Sequence, residues 1–137
     1  MATPTAGYSG KSLIAKLGVK DGANAIAVAP PANYADLTDN AAIAPKKTAP
    51  RAGSFDFIHL FVSNESSLAR DLPKLELRLA TGGMLWVSWP KKSSNLFRDL
   101  TEDGIRKVCL PMRLVDVKVC AVDADWSGLK LMRRKAR

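Results

Sequence analysis

The sequence predicts a three-layer α/β domain whose sheet is mostly parallel, has about five strands and closes with an antiparallel C-terminal hairpin. Three observations predict it. Phe55–Val62 is apolar at nearly every position, the pattern of a parallel strand buried on both faces. A leucine-periodic helix and a second apolar run, Met84–Trp89, follow it and make a β-α-β unit. From Leu114 the pattern changes to alternation, turns at Asp123-Ala124-Asp125 and resumes over Gly128–Arg134, which reads as a hairpin.

A chain of 137 residues, 47% of them hydrophobic, suits one domain spanning 1–137. Residues 1–8 are small and unpatterned and are expected to be flexible. Leu13, Ile14 and Leu17 recur at helical spacing, with Ser9 or Ser12 as N-cap and Gly18 as the stop. After a turn at Lys20-Asp21-Gly22, the small apolar residues of Asn24–Ala29 form the first strand, halted by Pro30-Pro31. Between Pro30 and Ser54 the pattern is poor: Asn33 is placed to cap a helical turn through Tyr34 and Leu37, and Ala42-Ile43-Ala44 reads as a brief edge strand.

Ser63 or Asn64 caps the next helix, on which Leu68, Leu72, Leu75 and Leu79 repeat, Pro73 is expected to kink or break it, and Thr81-Gly82-Gly83 to end it. A last helix runs from about Thr101 to Cys109, capped by Asp99 or Thr101, with Glu102 and Asp103 in the favourable first turn. In the hairpin, Val115, Val117, Val119 and Ala121 are expected on one face, and Asp116 on the other, opposite Arg133 or Arg134.

Twenty-one Lys and Arg against thirteen Asp and Glu give a net charge of +8, and residues 87–137 hold twelve basic and six acidic side chains. An anionic partner fits that balance. The terminal Arg133-Arg134-Lys135 and Arg137 lack interleaved aromatics, so they support weak, salt-dependent nucleic-acid association at most. Only Cys109 and Cys120 are present, in apolar contexts, which points to reduced, buried thiols and a cytoplasmic setting rather than disulfides or a zinc site. No apolar run reaches the 18 or so residues of a membrane span, and no signal-peptide pattern opens the chain.

The candidate ligand site is the loop after the Met84–Trp89 strand: Lys91, Lys92, Ser93 and Ser94 offer two ammonium groups and two hydroxyls to an anion, with Ser63 and Asn64 across the sheet edge. His59 lies mid-strand with no Ser or Cys partner implied by spacing, so a structural role is expected. Gly10-Lys11-Ser12 is not a phosphate loop, because Thr5 stands where its first glycine would be and no strand precedes it.

The order of elements resembles a reduced, Rossmann-like class I S-adenosylmethionine-dependent methyltransferase fold, in the lead-in Leu17–Gly22 and in the closing hairpin. Ser88-Trp89-Pro90-Lys91-Lys92-Ser93-Ser94, Asp99–Asp103, Asp116–Val122 and Trp126–Lys130 also resemble a family of small bacterial proteins of unknown function, from about Gly7 to Arg134. That second resemblance carries no chemistry to transfer. The first implies S-adenosylmethionine as cofactor, but its glycine-rich turn is replaced by Ala29-Pro30-Pro31, and its ribose-binding acid has no counterpart in Ile43–Thr48. Binding of that cofactor in the usual way is therefore disfavoured. The reading that results is a non-catalytic module for an anionic small molecule, with an atypical methyltransferase-like enzyme as the alternative.

Overall fold

A computed structural model describes residues 12–134. The expected flexible segment 1–8, the alternative cap Ser9, most of the Gly10-Lys11-Ser12 motif and the basic end Lys135–Arg137 lie outside those residues. The elements run α1 (Leu13–Leu17), β1 (Ala25–Val28), α2 (Tyr34–Leu37), β2 (Ala44–Lys46), β3 (Phe55–Phe61), α3 (Glu65–Glu76), β4 (Leu79–Pro90), α4 (Glu102–Cys109), β5 (Leu114–Ala121) and β6 (Trp126–Arg133), with a 3-10 turn at Leu110–Met112. They build one six-stranded sheet in the order β2-β1-β3-β4-β6-β5. β2, β1, β3 and β4 pair in parallel, while β6 is antiparallel to both β4 and β5.

The period-two geometry of a strand divides the central residues between two cores. Ile58, Leu60 and Val62 of β3 join Leu68, Leu72 and Leu75 of α3 and Ile105 of α4 on one face. Phe57 and Phe61 join Leu17 of α1, Tyr34 of α2 and Trp86 of β4 on the other. Both faces of β3 are thus covered, which is why its sequence reads as one apolar run.

Caps set the helix limits. Ser12 Oγ accepts from the Ala15 N–H (3.3 Å), and Gly18, in the left-handed region at φ 75°, ends α1. Asn64 Oδ1 accepts from Ser67 N (2.8 Å) to start α3, and Thr101 Oγ1 accepts from Gly104 N (3.2 Å) to start α4. Asn33 precedes α2, but its side chain makes no capping bond.

Several expectations need correction. Pro73 does not break α3, which runs on to Glu76, so Leu79 belongs to β4 although it continues the leucine spacing. Pro73→Ala restores a backbone donor to the Ala69 carbonyl, and we expect it to raise stability by about 1–2 kcal/mol in urea unfolding. A loss of stability instead would show that the ring is held by contacts that outweigh the missing bond. The edge strand β2 lies two residues later than Ala42–Ala44 and contains Pro45, as an edge permits.

The alternation in β5 is broken by a register shift between Asp116 and Lys118, which leaves Val117 53% and Val119 48% exposed. Asp116 pairs with Leu131 in the ladder rather than with Arg133 or Arg134. Its carboxylate instead accepts from Arg106 Nε of α4 (3.0 Å), and this bond holds its pKa below the ordinary value. Arg133 donates to the Glu76 carboxylate (2.7 Å) and to the Glu76 carbonyl (2.6 Å), clipping β6 to the end of α3. Cys109 is buried, whereas Cys120 is only half-buried, and both are free thiols.

Candidate functional site

The chain leaves β1 toward β2 on one side and leaves β3 toward β4 on the other, although β1 and β3 are neighbours. Their connections α2 and α3 cover opposite faces, so the carboxyl ends of β1 and β3 part and open a crevice. A cleft of about 390 Å³ lies there. Val28 and Ala29 end β1 in it, Lys47 and Thr48 follow β2, and Phe61 and Ser63 end β3, while Ser67 and Arg70 enter from α3 and Trp126 from the start of β6.

Local chemistry explains the shape. Ala29 takes a left-handed conformation (φ 55°) and its N–H donates to Lys46 O (2.7 Å), so the chain turns sharply out of β1. Pro30 and Pro31 follow, and Tyr34 N donates to Pro31 O (3.0 Å) to close the turn. β2 ends in Lys46 and Lys47 follows it, a basic pair where the methyltransferase resemblance would require an acid. The Trp126 backbone N–H donates to Asp123 Oδ1 (2.9 Å), and its ring meets Phe61 edge-on with centroids 5.0 Å apart. Arg70 is paired through Nε and Nη2 with both carboxylate oxygens of Asp71 (2.9 and 3.1 Å).

The loop after β4 opens onto a second cleft of about 440 Å³ that Lys91 and Lys92 share with Trp89, Thr101, Glu102 and Arg106. The two lysines therefore do meet the start of α4. The rest of the sequence-derived set is dispersed. Ser94 Oγ donates to Asp125 Oδ1 (2.8 Å) and accepts from Leu96 N (3.0 Å), so that hydroxyl braces the loop against the hairpin turn. Ser93 is exposed in the turn. Ser63 lines the crevice between β1 and β3 instead, and the Asn64 carbonyl is spent on capping α3.

In the second cleft Arg106 is engaged by Glu102, by Asp103 (3.4 Å) and by Asp116 (3.0 Å). Among the described residues every ion pair is made by an arginine, leaving Lys47, Lys91 and Lys92 without a carboxylate partner. No group of three or more His, Cys, Asp or Glu side chains among the described residues is placed to hold a metal ion, and no described helix is long and apolar enough to cross a membrane.

His59 does have a serine partner. Its Nε2 lies 2.6 Å from Ser88 Oγ and its Nδ1 lies 2.9 Å from the Tyr34 hydroxyl, three groups brought together from β4, β3 and α2. A neutral imidazole serves one hydroxyl as donor and the other as acceptor. Burial pushes its pKa down to about 3 and raises that of Tyr34 above the ordinary phenol value. His59 and Ser88 are both 0% exposed, so no substrate reaches the pair and the network is structural. Sequence spacing hid it because Ser88 is a diagonal neighbour across the β3–β4 ladder.

Compared with family models and with curated proteins, the chain matches none. Solved structures with the same fold are methyltransferases. A SAM-dependent methyltransferase from Aquifex aeolicus superposes with a TM-score of 0.61 at 12% identity, over 88% of this chain and 87% of that one. A methylase of a ribosomal protein from Lactobacillus delbrueckii subsp. bulgaricus gives 0.60 at 17% identity, over 90% and 76%. An O-methyltransferase family 2 protein from Planctomyces limnophilus, solved with apigenin, gives 0.61 at 13% identity, over 82% and 50%. The fold of this chain is therefore the mixed α/β fold of the SAM-dependent methyltransferases.

Proposed function

We propose that the protein binds an anionic small molecule in the crevice between the carboxyl ends of β1 and β3. The observation that carries this reading is the convergence of Lys47, Thr48, Ser63, Ser67 and the Arg70–Asp71 ion pair on one cleft at the sheet's switch point, where open α/β sheets hold their ligands; Lys47 is the cation there without a carboxylate partner among the described residues. Lys91 and Lys92 form a second basic surface nearby, which draws anions toward the same edge and contributes less to holding them.

A second reading, an enzyme that transfers methyl groups and binds its cofactor atypically, is favoured by the methyltransferase fold of the solved structures above. The crevice itself speaks against the usual cofactor mode. A proline pair lacks the N–H groups for close backbone approach, and Lys47 presents a cation where a ribose diol needs an acceptor.

Calorimetry with inorganic phosphate and with S-adenosylmethionine separates the two. We expect phosphate to bind and S-adenosylmethionine to bind weakly or not at all; a micromolar or tighter S-adenosylmethionine complex favours the enzyme. Lys47→Ala should remove most of the phosphate affinity. Lys91→Ala with Lys92→Ala should lower it only a few-fold and change stability by no more than about 0.5 kcal/mol, as for other surface substitutions. Loss of binding in the double variant alone would move the site to the loop after β4.

A further inference from the structure

The crevice has two chemically different ends. Lys47 and Thr48 extend from β2, while Phe61 ends β3 on the far side of β1. Two strand spacings, roughly 10 Å, separate them. At the β3 end Trp126 stands edge-on to Phe61 and is only half-buried, so it offers an aromatic surface to the cleft. Arg70 and Asp71, paired with each other, line the α3 side with Ser63 and Ser67. At about 390 Å³ the space falls within the usual range of small-molecule sites, roughly 300–1,000 Å³, and is far larger than a bare oxyanion needs.

We infer that the ligand carries an aromatic ring and a phosphate group joined by a short polar linker, as in a nucleoside monophosphate. This rests on the anion-site reading above and adds the ring to it. The ring packs against Trp126, where an aromatic face gives stacking without sequence-like selectivity. The phosphate sits toward Lys47, its peripheral oxygens accepting from the ammonium, from the Thr48 hydroxyl and from Arg70. Arg70 keeps its bidentate pair with Asp71 through Nε and Nη2 and has Nη1 left to donate. The linker spans the mouth of β1 beside Ala29, where the left-handed turn carries the chain away from the cleft.

Trp86 and Trp89 are 0% and 7% exposed, so ligand-induced change in tryptophan emission reports on Trp126, and Trp126→Phe is its control. The test is calorimetry and fluorescence with adenosine 5′-monophosphate, adenosine and inorganic phosphate at low salt. The monophosphate should bind at least tenfold tighter than either of the others and should change Trp126 emission. Lys47→Ala with Arg70→Ala should reduce it to the level of adenosine while the circular dichroism spectrum stays unchanged.

If phosphate binds as tightly as the monophosphate and emission does not change, the ring assignment falls and the anion site stands. If adenosine equals the monophosphate and the double variant has no effect, charge plays no part and both readings fall. Failure of all three probes to bind at millimolar concentration also overturns both.

Discussion

Trp86→Ala should destabilise the protein by about 3–5 kcal/mol, measured by urea unfolding. The indole is fully buried in β4, and its Nε1 donates to the Leu17 carbonyl (3.0 Å), which ties the end of α1 to the sheet. On β6, Gly128 is pressed so close that a Cβ there would lie 3.2 Å from Trp86 Cε3. Removing the ring therefore leaves both a cavity in a packed face and a carbonyl without its donor. Trp86→Phe keeps most of the volume and should cost less than the alanine change, the remainder being the hydrogen bond and the lost second ring. A loss below about 1 kcal/mol for Trp86→Ala would mean that α1 does not depend on this anchor.

Acid should weaken the fold before the carboxylates begin to titrate. His59 has a pKa of about 3 in the folded chain, against 6.5 for the free side chain. Because the folded value is depressed, the contribution is fully present above pH 6.5 and is lost as pH falls toward 3, since the unfolded chain takes up the proton first. Each pH unit inside that window removes about 1.4 kcal/mol, so roughly 2 kcal/mol should be gone between pH 6.5 and pH 5. His59 is the only histidine, which makes the attribution direct. His59→Gln should be less stable at pH 7 yet nearly flat over the same window. A wild-type profile that is flat there would mean that the folded imidazole takes up a proton as readily as the unfolded one, and a variant with the same slope would assign the loss to other groups.

How far the sequence foretold this molecule follows from how local each feature is. Phe55–Phe61 and the helix caps are encoded within a few residues of themselves, and these were legible, each cap to one of two nearby side chains of which Ser12, Asn64 and Thr101 are the ones used. Leu79 misled because leucine spacing continues from α3 into β4 across a two-residue connection, Leu77-Arg78. Val117 misled because a bulge depends on the partner strand, not on the alternation it interrupts. Lys91 and Lys92 line one cleft with the start of α4, while Ser63 lines another and the Asn64 side chain caps α3, a separation that sequence distance does not reveal.

Two of the crevice residues, Lys47 and Arg70, were missed for a related reason. Lys47, Arg70 and Trp126 come from three distant elements, and the strand order β2-β1-β3-β4-β6 brings them together. The signal available was the adjacency of β1 and β3, expected of an open parallel sheet, combined with a basic pair after the edge strand. The Tyr34–His59–Ser88 network was hidden in the same way, since its hydrogen bonds cross 25 and 29 residues of chain.

Backbone amide resonances followed during a phosphate titration locate the ligand. If it enters the crevice between β1 and β3, saturating shifts appear at Ala29, Thr48, Ser63 and Ser67, with smaller changes at Lys91 and Lys92. Shifts confined to Lys91–Thr101, with Ala29 and Ser63 unmoved, would contradict that placement.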